Sequence, residues 1–306
     1  HFPISFFAIS MGLFGAALAS HAAGLDAVSI FFGVAATLAF LALLGFYGLK
    51  AASFPGSIVE EWRHPVRITF FPAISISLLL MATFLRSYTP AMAELVWIAG
   101  AVLQAGLTIA VVANWIGHRA FGPGHLSPAW FIPAVGNVVA PVAGVPLGHV
   151  EASWYFFAVG MLFWLILLTM TINRLVFHDP LPGKLRPTLV ILIAPPAVAF
   201  LSWVQFTDGT VDAMARVLLN LGLFFTALVL TQAPGILRLP FAMSFWALSF
   251  PLAAMAIACF RFAALAGSTL HAAFGWILLA ILLSVIVGLA WRTGVAIIRG
   301  EICQPE

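Results

Sequence analysis

The sequence has few charged side chains, since only 8% of its 306 residues are Asp, Glu, Lys or Arg. A soluble domain usually carries about 25% charged residues, which keep its surface hydrated. The remaining composition is 63% hydrophobic, which excludes a soluble globular protein. Lipid must therefore contact most of the outer surface of this chain.

Cysteine and net charge are also scarce. Cys259 lies inside an apolar run and Cys303 lies among the last residues, so we expect no disulfide between them. The formal net charge of +3 is too small to indicate binding to nucleic acid. The sequence contains neither a P-loop nor an HExxH motif, and its histidines lack metal-ligand spacing. We therefore predict no enzyme activity, no metal site and no cofactor.

Long apolar runs take the place of charge, for example at residues 27–48 and 277–290. Inside a bilayer, only helices and closed barrels satisfy every backbone polar group. A membrane strand would show about 10 residues of alternating polarity, whereas a spanning helix needs about 20 apolar residues. The runs therefore predict an all-α integral membrane protein.

Ten membrane spans with short connections are predicted, which we number in chain order and treat as one transmembrane domain over residues 1–306. The predicted spans cover residues 3–23, 27–50, 66–86, 91–118, 129–148, 151–177, 188–206, 210–234, 240–265 and 271–298. They pair into five helical hairpins at about residues 1–53, 54–119, 120–178, 179–236 and 237–306.

The basic residues indicate the orientation, because Lys and Arg concentrate in cytoplasmic loops. Three of them, Arg86, Arg216 and Arg261, lie after odd-numbered spans. The other ten lie after even-numbered spans or near the C-terminal end: Lys50, Arg63, Arg67, Arg119, Arg174, Lys184, Arg186, Arg238, Arg292 and Arg299. We therefore predict that both termini are cytoplasmic.

The odd-numbered spans share a local pattern of proline followed by small residues. The pattern reads Phe71-Pro72-Ala73-Ile74-Ser75 in span 3, Ile132-Pro133-Ala134-Val135-Gly136 in span 5, Pro195-Pro196-Ala197-Val198-Ala199 in span 7 and Phe250-Pro251-Leu252-Ala253-Ala254 in span 9. Span 1 has Ser10 in place of the proline. The repeat predicts five broken helices that alternate with five regular ones.

A proline inside a helix frees a backbone carbonyl, which is tolerated in a membrane where the helix is buried or lines a wet cavity. One such proline would be an ordinary kink, but four at matching depth on alternate spans favour a pore. The residues predicted to line it are Ser10, Gly12, Phe71, Pro72, Ser75, Pro133, Gly136, Pro196, Ala197 and Pro251.

The middles of the odd-numbered spans contain no ionisable side chain. The uncharged stretches are residues 2–20, 68–85, 129–148, 188–207 and 241–260. Ion-coupled transporters commonly place ionisable groups at this depth, so the pattern favours a neutral path for anions. Arg86 and Arg261 end spans 3 and 9 on the predicted non-cytoplasmic side. They indicate either an outer vestibule that attracts anions or ordinary interfacial anchors.

The five hairpins, the start Phe2-Pro3 with Gly12, and above all Trp246-Ala247-Leu248-Ser249-Phe250-Pro251-Leu252 resemble the tellurite-resistance/dicarboxylate transporter family. Members of that family include the bacterial protein TehA and the plant guard-cell slow anion channel. The resemblance covers essentially the whole chain, although Ser10 stands where some relatives carry proline. It implies a homotrimer of ten-helix protomers, each with a pore lined by its odd-numbered spans in quasi-fivefold arrangement. It also implies that Phe250, just before the span 9 proline, plugs the pore.

We therefore predict an anion-selective channel for small monovalent anions such as chloride or nitrate, occluded by Phe250. A phenylalanine plug is physically reasonable because apolar constrictions gate by dewetting. The alternative is a secondary transporter or exporter of dicarboxylate, sulfite or tellurite-related anions. The expected partners are small inorganic anions and the lipid bilayer, and the expected location is the bacterial inner (plasma) membrane.

Overall fold

A computed structural model describes residues 2–117 and 121–300, and every regular element in these ranges is helical. Within them, nine helices are long and apolar enough to cross a membrane, and the apolar segment Pro128–Gly144 is shorter. These ten segments coincide with the ten predicted spans and keep their numbers. The predicted end of span 4 at residue 118, Arg119 and Cys303 lie outside the described residues.

The even-numbered spans are single long α-helices, whereas the odd-numbered spans combine 3₁₀-helical and α-helical segments. The even spans are Asp26–Ser53, Pro90–Ile116, Val150–Phe177, Ala213–Leu237 and Thr269–Ile298. Span 1 consists of Ile4–Phe6 and Phe7–Ala22, and span 3 of Arg67–Phe70 and Ala73–Leu85. Span 5 has four segments: Pro128–Trp130, Phe131–Val135, Gly136–Val139 and Ala140–Gly144. Span 7 consists of Gly183–Ile193 and Ala194–Phe206, and span 9 of Met243–Leu248 and Ser249–Ala266. The α-helix Pro55–Arg63 and the 3₁₀ turn Pro123–His125 lie between spans.

The repeated prolines lie at the start of an α-helix rather than inside one. Pro72 is the cap residue of the span 3 helix, and Pro133, Pro196 and Pro251 are each the third residue of an α-helical segment. The first N–H groups of a helix have no partner within it, so a proline there costs no hydrogen bond. The interruption is thus a change from 3₁₀ to α geometry. In span 1, Ser10 lies within a continuous α-helix.

Burial separates the two kinds of span. The most apolar windows of spans 1, 3, 7 and 9 are 56–78% buried, against 28–39% for the even-numbered spans. Each odd span packs on the even span that follows it, and the odd spans contact one another in the order 1, 3, 5, 7, 9 and back to 1. Large apolar side chains such as Phe31, Leu38 and Leu165 are exposed on the even spans. The chain is therefore a multi-pass membrane protein with the odd spans in its interior.

A buried carboxylate fixes the end of the bundle at which the odd spans begin. Glu61, in the short helix Pro55–Arg63, is 3% exposed. Its Oε1 accepts a hydrogen bond from the Ile4 backbone N–H at 3.3 Å. Its Oε2 accepts from the Tyr47 hydroxyl at 2.8 Å and from the Lys50 ammonium at 2.9 Å. Glu61 therefore ties the first turn of span 1 to span 2.

We expect Glu61→Ala to lower the midpoint of thermal unfolding in detergent, because Lys50 and Tyr47 lose their buried partner. Removing one member of a buried ion pair typically costs about 3–5 kcal/mol. The matched control is Glu60→Ala, whose side chain is exposed and which should leave the midpoint unchanged. Equal midpoints for the two variants would contradict the structural role of Glu61.

Candidate functional site

Two cavities lie between the odd-numbered spans, and all five of those spans contribute to each. The proline-side cavity, lined in part by Pro195 and Pro251, has a volume of about 60 Å³. The arginine-side cavity, lined in part by Arg86 and Arg261, is much larger, at about 550 Å³. Together they form a path through the middle of the helical bundle that is interrupted at one level.

Three residues line both cavities and therefore separate them: Val139 of span 5, Val198 of span 7 and Phe250 of span 9. We call these three residues the constriction. Phe250 is half-buried and is the second residue of its α-helical segment. Its ring lies against Gly15 of span 1, where an added Cβ would sit 3.6 Å from the Phe250 Cδ2 atom. An apolar ring at this position can close a narrow path.

The proline-side cavity has a strongly apolar wall. Its lining residues are Ala, Met, Phe, Ile, Val, Gly, Pro and Trp, and the indole N–H of Trp246 is bonded to the Thr293 hydroxyl at 3.0 Å. An anion that enters such a space gives up water without receiving a replacement ligand, which is costly. The apolar wall thus extends the barrier set by the constriction.

The arginine-side cavity carries polar and positively charged side chains in an otherwise apolar wall. His21, Thr83, Gln205 and the two arginines are among its lining residues. Burial lowers the pKa of Arg86, which follows the last residue of span 3, and the nearby charge of Arg261 lowers it further. The Arg86 Nε atom is buried without a hydrogen-bond partner among the described residues. A positive cleft of this kind raises the local concentration of anions.

The structure places the predicted site residues in two groups. Phe250, Pro251 and Gly136 line the proline-side cavity, while Arg86 and Arg261 line the other one. The remaining predicted pore-lining residues contribute to the wall of neither cavity: Ser10, Gly12, Phe71, Pro72, Ser75, Pro133, Pro196 and Ala197. In the same spans, neighbouring residues such as Met11, Ala73 and Pro195 line the path instead.

Contacts between helices explain why the neighbouring residues, rather than the predicted ones, face the cavities. The Ser10 hydroxyl lies 2.8 Å from the Ser77 hydroxyl, and the Ser75 hydroxyl donates to the Gln104 Oε1 at 2.6 Å. The ring of Phe71 packs edge-on against Trp62, with centroids 4.9 Å apart. Buried hydroxyls need a hydrogen-bond partner, and these find one between helices. The proline repeat indicates depth along a span but not which face meets the cavity.

Sequence reasoning did not identify Val139 or Val198, because two valines in an apolar run carry no local signal. It also did not identify the buried polar side chains Gln104 and Thr108 of span 4 and Asn137 of span 5. Their positions in apolar spans were a usable signal, since buried polar groups in membranes usually serve a structural or functional purpose.

A ring of buried helices that encloses an interrupted path with one cationic cavity defines a membrane channel or transporter. Comparison with known families gives the same class. Residues 1–294 match the family described as SLAC1, voltage-dependent anion channel, and the chain belongs to this family. The resemblance of the sequence to the tellurite-resistance/dicarboxylate transporter family is thereby confirmed, and membership supports a function in anion transport or conduction.

The individual relatives share only 28–31% identity with this chain. The chain is 31% identical to the S-type anion channel SLAH1 of Arabidopsis thaliana over 225 residues, which cover 71% of this chain and 57% of the relative. It is 29% identical to the S-type anion channel SLAH3 of the same plant over 233 residues, or 75% of this chain and 36% of the relative. It is 28% identical to the tellurite resistance protein TehA homolog of Haemophilus influenzae over 261 residues, or 83% and 79%. The chain thus spans only about a third of SLAH3 but most of the Haemophilus protein.

We expect Gly12→Ala to lower the unfolding midpoint, because Gly12 lies at the contact of spans 1 and 9. An added Cβ would be 2.1 Å from the Ser249 Oγ and 2.8 Å from its Cβ. Overpacking of this kind typically costs about 1–3 kcal/mol. Gly45→Ala in span 2, where an added Cβ meets no heavy atom within 4 Å, is the matched control. A methyl group tolerated equally at both positions would indicate that Gly12 faces open space.

Proposed function

We propose that this protein is a channel for small monovalent anions such as chloride or nitrate. In this proposal, five helical hairpins within one domain place the odd-numbered spans in a quasi-fivefold ring, and the ring encloses the pore. The main support is the constriction of Val139, Val198 and Phe250 between a cationic cavity and an apolar one. Phe250 is the proposed gate, because it is the largest of the three side chains.

An anion would enter through the arginine-side cavity, where Arg86 and Arg261 raise its local concentration. At the constriction it must shed water against apolar side chains, so the path stays closed while Phe250 occupies it. Once the ring moves aside, an uncharged path binds an anion weakly. Weak binding favours rapid release and hence conduction.

The absence of ionisable side chains from the middle of the odd-numbered spans supports a channel over a coupled transporter. The alternative is a secondary transporter or exporter of dicarboxylate, sulfite or tellurite-related anions. One relative carries the name tellurite resistance protein TehA homolog, which keeps this alternative in view. A channel current reverses at the equilibrium potential of the anion, whereas coupled uptake saturates and responds to a proton gradient.

We also propose that the protein is a homotrimer in a bacterial inner (plasma) membrane with both termini cytoplasmic. In the sequence, ten of the 13 basic residues follow even-numbered spans or lie near the C-terminal end, which this orientation makes cytoplasmic. The arginine-side cavity would then face away from the cytoplasm. The exposed apolar faces of the even-numbered spans are suited to contact with lipid and with other copies of the chain.

We expect Phe250→Ala to raise anion conductance well above that of the wild type in planar bilayers or oocytes, because the ring no longer closes the constriction. Phe250→Trp keeps a bulky apolar group there and is expected to remain at the wild-type level. Exchange of chloride for nitrate should move the reversal potential. Background conductance for a normally folded Phe250→Ala protein would contradict the role of Phe250 as the gate.

In the Phe250→Ala protein, we expect Arg261→Gln to reduce the anion current at low ionic strength. The arginine raises the local anion concentration only where its charge is not screened, and the Debye length falls from about 30 Å at 0.01 M to about 3 Å at 1 M salt. The reduction should therefore disappear in concentrated salt. Arg292→Gln, an exposed arginine that lines neither cavity, serves as the control. An equal reduction of the anion current in both variants would indicate a general effect of charge and contradict a specific role of Arg261.

A further inference from the structure

A network of buried polar side chains lies directly behind the constriction. Its members are Ser75 of span 3, Gln104 and Thr108 of span 4, and Asn137 of span 5, and each is at most 4% exposed. The Gln104 Oε1 accepts from the Ser75 hydroxyl at 2.6 Å, and the Thr108 Oγ1 accepts from the Asn137 amide at 2.9 Å. The network therefore joins three neighbouring spans at one depth of the membrane.

Span 5 loses α-helical geometry at this depth. The 3₁₀ turn Gly136–Val139 interrupts the span and ends on Val139, one of the three residues of the constriction. Pro141 has no N–H group with which to bond the Asn137 carbonyl in α-helical fashion. That carbonyl accepts from the Ala140 N–H instead. A stretch of 3₁₀-helix inside a longer helix often marks a functional hinge.

Side chains satisfy the backbone carbonyls around the turn. The Pro133 carbonyl accepts from the Thr108 hydroxyl at 2.8 Å and from the Gln104 Nε2 at 3.2 Å. The Ala134 carbonyl accepts from the Asn137 amide at 2.7 Å. Without these donors, two buried carbonyls would lose side-chain partners in an apolar interior, which is costly. Span 4 therefore stabilises the altered geometry of span 5.

Close packing leaves the turn little freedom on its other sides. The Ser202 hydroxyl of span 7 donates to the Val138 carbonyl. An added Cβ at Gly160 of span 6 would sit 2.6 Å from the Val138 Cγ1, and one at Gly136 would sit 2.5 Å from the Ile76 Cδ1. The turn that carries Val139 is therefore packed by spans 3, 6 and 7 and hydrogen-bonded by span 4.

We propose that Gln104 and Thr108 are positioning residues for the constriction and set the size of the anion that passes it. Their hydrogen bonds to the Pro133 carbonyl, and that of Thr108 to the Asn137 amide, hold the Gly136–Val139 turn and with it Val139 of the constriction. Neither side chain lines a cavity, so both act through the backbone of span 5. The inference rests on the proposed channel function and makes Val139 a second residue, besides Phe250, that limits passage.

The test compares Thr108→Val, which keeps the shape of the side chain but removes the hydroxyl, with Thr108→Ser, which keeps the hydroxyl. Both are made in the Phe250→Ala protein, and the readout is the nitrate-to-chloride permeability ratio from reversal potentials. This ratio does not depend on the number of folded channels. We expect Thr108→Val and Gln104→Met to shift it toward the larger nitrate ion by up to about threefold, because only part of the free energy of one lost buried hydrogen bond can appear as a difference between the two anions. Thr108→Ser should stay near the parent value.

The control is Asn114→Leu, also in span 4, because the Asn114 amide bonds only the Ala110 carbonyl of its own helix in the described structure. It should not move the permeability ratio. A shift as large for Asn114→Leu as for Thr108→Val would overturn the positioning role.

A second measurement does not require current. In a protein whose two native cysteines are replaced by alanine, Val139→Cys is labelled with a charged, water-soluble thiol reagent. We expect Gln104→Met to raise the labelling rate several-fold, because the turn is released. An unchanged rate together with an unchanged permeability ratio would refute the proposal. If Phe250→Ala carries no anion current, the channel function fails, and the labelling rate still decides the positioning role.

Discussion

Backbone hydrogen bonding in the absence of water is the constraint on which this structure depends. The even-numbered spans meet it within themselves, as single α-helices, and can therefore face lipid. The odd-numbered spans change from 3₁₀ to α geometry, and their prolines stand where no N–H is needed. In span 5, the backbone carbonyls of Pro133 and Val138 accept hydrogen bonds from side chains of neighbouring spans, namely Thr108 and Ser202. Segments of this kind are stable only inside the bundle.

The same constraint explains the character of the central path. A wall made of interrupted helices offers small and apolar side chains, and close contacts such as Gly12 with Ser249 draw the helices together. The resulting constriction is apolar, so in the proposed channel its barrier comes from dehydration rather than from charge. Among the described residues that line the two cavities, the arginines are Arg86 and Arg261, both in the arginine-side cavity. In the proposal they attract anions without holding them at the narrowest point.

The start of span 1 is fixed by a different kind of interaction. Glu61 bonds the first turn of span 1 and the ammonium of Lys50 from a short helix that lies outside the spans. Loss of one partner from a buried ion pair of this kind strongly destabilises the folded protein, because the other charge is left unpaired. Charge thus holds the start of span 1, whereas the proposed support of the constriction consists of the hydrogen bonds of Gln104 and Thr108.

The sequence by itself determined the membrane class, the apolar helical segments and the alternation of regular and interrupted helices. These properties follow from local signals, namely the length of apolar runs and the spacing of prolines. Only the tertiary structure decided which face of each span meets the cavities. It places the hydroxyls of Ser10 and Ser75 in contacts between helices. It alone identified Val139 as part of the constriction and distinguished buried Glu61 from exposed Glu60. The physical reason is that rotation about a helix axis depends on neighbours far away in the chain, because each buried polar group must find its partner there.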